Sequence, residues 1–195
     1  MNYLFVIAMK KEAEKIIEHY ALKKVNDNYY KQNNIELIIT DVSRNGITNT
    51  LVNMLYKYNL DYKNYVMINV GMVGSNNLSV GQIISVSQSF GYHFNLTPFG
   101  DPLYHSLNSP FKLNEIKGIK QVKCFTSDGF VTKTSIKEDA VFDMELNAIV
   151  NFPFKKHYSI KIISDSLNDN EYNNFNYDDK IKEILKITDG IIQDK

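Results

Sequence analysis

Of three acidic side chains, Glu12 and Asp165 follow apolar runs that have the character of buried strands, and Glu145 precedes a helical stretch. The first run leads into Ala8-Met9-Lys10-Lys11-Glu12, the third into Asn69-Val70-Gly71-Met72-Val73-Gly74, and the fifth ends Ile162-Ile163-Ser164-Asp165. Asp143-Met144-Glu145 precedes a helical stretch over 146–152. Strand ends in a sheet covered on both faces point the same way, so the three carboxylates are expected to converge on one crevice, where they can act as proton donor, base or fixed negative charge. Taken singly, each has a plainer reading. Glu12 is a charge favoured in the first turn of a helix, Asp165 a turn cap, and Met144 and Phe130 ordinary core.

The elements that must hold these residues are legible in outline. Runs 3–8, 35–40, 65–69, 82–87 and 159–164 are short, apolar and rich in β-branched residues, and most lack polar alternation, which is the pattern of strands buried on both faces. Residues 11–24 place Ala13, Ile16, Ile17 and Tyr20 at three-and-four spacing, 47–58 repeat this with Ile47, Leu51, Leu55 and Tyr58, and a last helix starts at Asp178-Asp179 and carries Ile181, Ile184, Leu185, Thr188 and Ile191. The Asn-rich stretch 168–176 reads as a loop. The expected architecture is α/β, a layered single-domain fold over 1–195 with a mainly parallel central β-sheet flanked by helices.

Composition removes several classes. The 195 residues carry 22 basic and 22 acidic side chains, a balance that argues against a nucleic-acid partner. The single cysteine, Cys124, has no internal partner, no run approaches the ~18 apolar residues of a membrane helix, and the start lacks the basic flank of a signal peptide, so a cytoplasmic location is expected. The four histidines show no metal-ligand spacing and the carboxylates are scattered, so neither a metal nor a cofactor is expected.

Five blocks in order resemble the signature of the nucleoside phosphorylase superfamily. They are Ala8-Met9 followed by Glu12, the Asn-x-Gly-x-x-Gly of 69–74 followed by Val80-Gly81-Gln82-Ile83-Ile84, Thr126-Ser127-Asp128-Gly129-Phe130, Asp143-Met144-Glu145, and Ile163-Ser164-Asp165. They are most similar to methylthioadenosine/S-adenosylhomocysteine nucleosidases. The resemblance implies cleavage of the N-glycosidic bond of a purine nucleoside, in which a poor leaving group must be protonated and an oxocarbenium-like sugar stabilised.

By that resemblance Asp165 donates a proton towards purine N7, Glu145 accepts the ribose hydroxyls and places its charge near the developing cation, and Glu12 activates the attacking water. Phe130 stacks on the base, the backbone at Val131 reads its edge, Met144 packs on the sugar, Ser164 and Met72 line the same site, and Phe175 or Tyr177 closes over the 5′ substituent. A homodimer is implied by the same analogy.

Water and phosphate remain the two possible acceptors. The phosphorylases of the superfamily carry an arginine where this chain has Ser79-Val80-Gly81-Gln82, and Glu12 occupies the place of the hydrolytic glutamate, so hydrolysis is preferred. A phosphorylase is the first alternative. A catalytically weak nucleoside-binding relative is the second, suggested by Met72 in the glycine loop and by short segments at 100–124 and 131–143. Arg44, the only arginine, precedes a helix in Ser43-Arg44-Asn45-Gly46 and is a candidate anion contact, with a surface pair to a carboxylate as its plainer reading. By the same resemblance, Tyr92-His93 is expected near the 5′ end of the substrate.

Overall fold

The computed structural model describes residues 1–106 and 109–193. The order begins β1 (Asn2–Ile7), α1 (Lys10–His19), β2 (Lys23–Asn26), β3 (Tyr29–Gln32), β4 (Ile35–Ile39) and α2 (Arg44–Tyr58). It continues with β5 (Tyr65–Ser75), β6 (Ile83–Gly91), β7 (Phe111–Lys112), β8 (Gln121–Thr126), β9 (Ala140–Asp143), α3 (Leu146–Ile149), β10 (Lys156–Asp165), α4 (Asp169–Asn174) and α5 (Asp178–Gln193).

One sheet joins all ten of these strands. Every residue of β5 is buried, which explains its unbroken apolar reading: it is flanked by β1 and β10, both parallel to it, and helices cover both faces. On one face α2 and α3 bury Ile47, Leu51, Leu146 and Ile149 against Leu4, Met67 and Ile163. On the other, α1 and α5 bury Ala13, Ile16, Ile181 and Ile184 against Phe5, Ile68 and Ile162.

The sheet corrects the expectation of a mainly parallel arrangement. Five pairings are parallel and five antiparallel. The strands β5, β10, β6, β8 and β9 close into a ring, because β9 returns to pair with the far end of β5. The sequence reading omits β2, β3, β7, β8 and β9. Lys and Asn dilute the hairpin β2–β3, whose place is instead fixed by the buried carboxylate of Glu36, which accepts from Tyr29 at 2.6 Å and Tyr65 at 3.0 Å and pairs with Lys31 at 2.6 Å.

Helix boundaries shift as well. The first ends at His19 rather than continuing to 24, because Ala21 takes a left-handed conformation that turns the chain into β2. The helical stretch after Glu145 ends at Ile149. The Asn-rich stretch holds a short helix, α4, whose entrance is capped by Asn168 accepting from the Asn170 and Glu171 N–H groups. Among the described residues no helix is long and apolar enough to cross a membrane.

Candidate active site

A cavity of about 220 Å³ opens where β1, β5 and β10 end, lined by Glu12, Asp143, Glu145, Lys161 and Asp165 among apolar walls of Met9, Val73, Phe130, Met144 and Tyr172. Strand direction alone does not explain this convergence. β9 runs against β5, with Phe142 opposite Gly74, so Asp143 and Glu145 arrive from the opposite direction to Glu12 and Asp165 and meet them only because the ring is closed.

Glu12 is held twice. It is the third residue of α1, and its Oε2 accepts the Met9 N–H at 3.1 Å, the usual backward reach of a glutamate at that position. Its Oε1 accepts the Met72 N–H at 3.0 Å from β5. The plainer reading of an exposed helix charge is therefore incomplete, since Glu12 is only 2% exposed. Burial pushes its carboxyl above the ordinary value, against the pull of the Met72 N–H and the Lys161 charge.

Asp165 lies at the end of β10, just past a bulge that shifts the register between Ile163 and Asp165. The bulge places Ser164 so that its hydroxyl is 2.7 Å from Asp165 Oδ2 and 3.1 Å from the Val73 carbonyl, two acceptors for one proton. The Asn168 N–H donates to Oδ1 at 3.2 Å. Asp165 is fully buried by its neighbours, and burial raises its carboxyl above the ordinary range despite those donors. Gly74 faces it closely: a Cβ there would stand 2.7 Å from Asp165 Oδ1.

Glu145 is pushed up to about 8, first by burial and then by the Asp143 charge, with Lys161 opposing both. Lys161 donates to Asp143 Oδ2 at 2.9 Å, both side chains being sealed from solvent. Burial alone would raise Asp143, but Lys161, the Thr126 hydroxyl at 2.6 Å and the Leu146 N–H at 3.1 Å outweigh it and hold the carboxyl below its usual range. Burial works against the Lys161 charge too, and Asp143 with Glu145 more than restores it.

Gly71 lies beside this group: a Cβ there would stand 3.4 Å from Glu12 Oε1 and 3.5 Å from Lys161 Nζ, an ordinary contact distance. Sequence reasoning missed Lys161. The signal was there, a single charge within Ile160-Lys161-Ile162-Ile163 in a strand otherwise buried on both faces.

The other expected residues divide. Met144, Phe130, Met72 and Ser164 line the cavity, and Val131 lines a 30 Å³ extension of it beside Phe130 and Leu167. The side chain of Met72 is buried in the cluster with Ile162. Phe175 and Tyr177 do not line the cavity; both belong to the apolar cluster under α5. Tyr172, three residues before Phe175, takes that place, edge-on to Phe130 at 5.8 Å with its hydroxyl 3.8 Å from Met9 Sδ. Arg44 also lies outside the lining, its guanidinium committed to Asp128 rather than left open to an anion. His93 sits beside Ser127, 2.8 Å from its hydroxyl. Among the described residues no group of three or more His, Cys, Asp or Glu side chains is placed to hold a metal ion.

No protein-family model and no curated protein sequence matches the chain. Solved structures do match it along nearly its whole length. A Borrelia burgdorferi protein described as a 5′-methylthioadenosine/S-adenosylhomocysteine nucleosidase, bound to adenine, is 23% identical, covers 95% of this chain and 98% of its own, and superposes with a TM-score of 0.77. The Helicobacter pylori 5′-methylthioadenosine/S-adenosylhomocysteine nucleosidase with butyl-thio-DADMe-Immucillin-A is 16% identical over 97% of this chain and 99% of that one, with a TM-score of 0.76. The futalosine hydrolase of Helicobacter pylori is 16% identical over 97% and 98%, also at 0.76.

The chain shares their fold. At these identities the likeness concerns architecture, and the activity must be argued from the cavity itself.

Proposed function

We propose that the chain is a purine nucleosidase that hydrolyses the N-glycosidic bond of a nucleoside and releases the free base. The observation that carries this reading is the placement of Glu12, Glu145 and Asp165 around one cavity with Phe130 and Met144 in its wall. Asp165, raised by burial and backed by Ser164, gives its proton to N7 of the purine so that the base departs neutral. Glu145 takes hydrogen bonds from the ribose hydroxyls, and its carboxylate faces the positive charge that grows on the sugar as the bond breaks. Glu12 accepts a proton from the attacking water, while the Met9 and Met72 amides fix its orientation. Phe130 stacks on the base, the Val131 backbone meets its edge, and Met144 packs against the sugar.

Hydrolysis is favoured over phosphorolysis by charge. Among the described residues Lys161 is the one cation in the cavity lining, and it is already paired with Asp143. A phosphate dianion would find no free cation there to hold it. The neighbours with nucleosidase names support 5′-modified adenine nucleosides, methylthioadenosine and S-adenosylhomocysteine, as the first substrates to try. A cytoplasmic homodimer belongs to the same reading, and sedimentation of the purified protein tests the dimer.

The deciding assay incubates purified protein with a panel of purine nucleosides, with and without phosphate. Free base and free sugar at equal rates in both arms are expected. Release only with phosphate, with a sugar 1-phosphate product, would select the phosphorylase instead, and tight nucleoside binding without turnover would select a binding protein.

A further inference from the structure

The base-contacting loop is gripped from outside the cavity. Residues 127–131 leave β8 and carry Phe130 and Val131 to the cavity, with Ser127 anchored by its N–H on the Asp143 carbonyl at 2.8 Å. Beyond that anchor the loop has little support of its own: nothing lies within 4 Å of where a Gly129 Cβ would be, and Phe130 is 45% exposed. Besides the Phe130–Tyr172 contact, two polar contacts from other elements restrain it. Arg44, the first residue of α2, closes a two-pronged ion pair on Asp128, with Nε 2.7 Å from Oδ1 and Nη2 on Oδ2, and its guanidinium lies 5.7 Å from the centre of the Phe94 ring. His93 meets the Ser127 hydroxyl at 2.8 Å, and that hydroxyl also accepts the Gly129 N–H at 3.2 Å.

We propose that Arg44 is a positioning residue for the purine base, acting through Asp128 to hold the 127–131 loop so that Phe130 stands ready over the cavity. The inference rests on the nucleosidase reading for its substrate, and on the geometry of the loop for its mechanism. A fork that grips both carboxylate oxygens fixes direction as well as distance, which a lysine in the same place does not. Because Val42, two residues before Arg44, lines the cavity, the pair links the entrance of α2 to the base-contacting loop across the cavity rim. The loop needs no ordering when the base arrives, and that entropy is saved in binding rather than in chemistry.

Base release is measured for Arg44→Ala, Asp128→Ala, the double variant, and the exchanged pair Arg44→Asp with Asp128→Arg. Amide hydrogen exchange at Gly129, Phe130 and Val131 is followed in the same proteins. Each single variant is expected to raise KM about fivefold with kcat within about twofold, the double to do no worse than either single, and the exchanged pair to recover part of the loss. Faster exchange at the three loop amides accompanies the loss. Unchanged KM with unchanged exchange, or single effects that simply add in the double variant, overturns the proposal. Should the wild-type protein release no base, the nucleosidase reading fails while the loop amides still judge the clamp: faster exchange in Arg44→Ala upholds it and equal exchange rejects it.

Discussion

The ammonium of Lys161 lies 2.9 Å from Asp143 Oδ2, on strands that reach the cavity from opposite directions, with both side chains shut off from solvent. The pair neutralises the deepest charge of the site and sets the field that Glu145 and Glu12 feel. Removing only the cation leaves a buried, unpaired carboxylate, so Lys161→Met is expected to cost ~3–5 kcal/mol of stability, and Lys161→Met with Asp143→Asn to recover much of it. Denaturant unfolding at neutral pH measures both. Because Asp143 is held below its ordinary value near 3.8, the stabilisation is present above that pH and fades as acid takes the carboxylate through its lowered range.

Gly74→Ala should disable the site without disturbing the core. The added Cβ would stand 2.7 Å from Asp165 Oδ1 and 3.1 Å from Leu167, so the carboxyl must swing away, disturbing the bond that Oδ1 accepts from the Asn168 N–H and the Ser164 bond to Oδ2. A displacement of this size at a proton donor costs on the order of 10²-fold in kcat. The thermal midpoint, by contrast, should fall by only a few degrees. Equal turnover in the variant would show that the position of Asp165 is not critical.

Glu145 gives a pH test with a definite sign. Its folded-state value of about 8 lies above the ordinary 4.5, so the folded protein keeps a proton that the unfolded chain has lost. The contribution of Glu145 to stability is therefore complete below pH 4.5 and declines as pH rises towards 8. Glu145→Gln should raise the thermal midpoint over wild type by an amount that grows from pH 5 to pH 9, about the span of that decline. The same carboxylate must be charged to receive the ribose hydroxyls, so kcat/KM of the wild-type enzyme should climb through this range until loss of the Asp165 proton opposes it. A midpoint difference that does not vary with pH would contradict the assignment.

Much of this site could be read before any coordinates, and the reasons are local. Glu12, Gly71, Gly74 and Asp165 stand beside runs whose apolar, β-branched character marks strands, and a residue at a strand end is placed by that strand, whereas Glu145 was legible only through the Asp143-Met144-Glu145 block ahead of α3. The closed ring could not be read, because β8 and β9 are short and the antiparallel partnership of Phe142 with Gly74 joins residues far apart in the chain. Lys161 stood out as a lone charge in an apolar strand, but its role could not be read because its partner lies 18 residues away on β9. Phe175 and Tyr172 were exchanged because the Asn-rich stretch reads as a loop, whereas the α4 turn brings Tyr172, not Phe175, over the cavity.

Glu12→Gln separates capping from catalysis. The amide keeps one acceptor oxygen but turns an NH₂ group towards one of the two N–H donors, Met9 or Met72, that the carboxylate satisfies. Turnover is expected to fall ~10²–10⁴-fold through loss of the base, with a modest fall in thermal midpoint from the spoiled cap. Glu12→Asp, which keeps the charge but is one methylene shorter, should be intermediate in turnover. Full activity in Glu12→Gln would remove Glu12 from the chemistry.

The sharpest test of the nucleosidase account is single-turnover base release by Asp165→Asn, measured beside the affinity of the same variant for adenine. The substitution keeps the shape that Ser164 and the Asn168 N–H hold, and removes only the transferable proton. The account predicts that release of adenine from 5′-methylthioadenosine slows ~10²–10⁴-fold while adenine binding stays within a few-fold of wild type. Release at the wild-type rate would mean that Asp165 does not protonate the leaving base, and the proposed chemistry would be wrong.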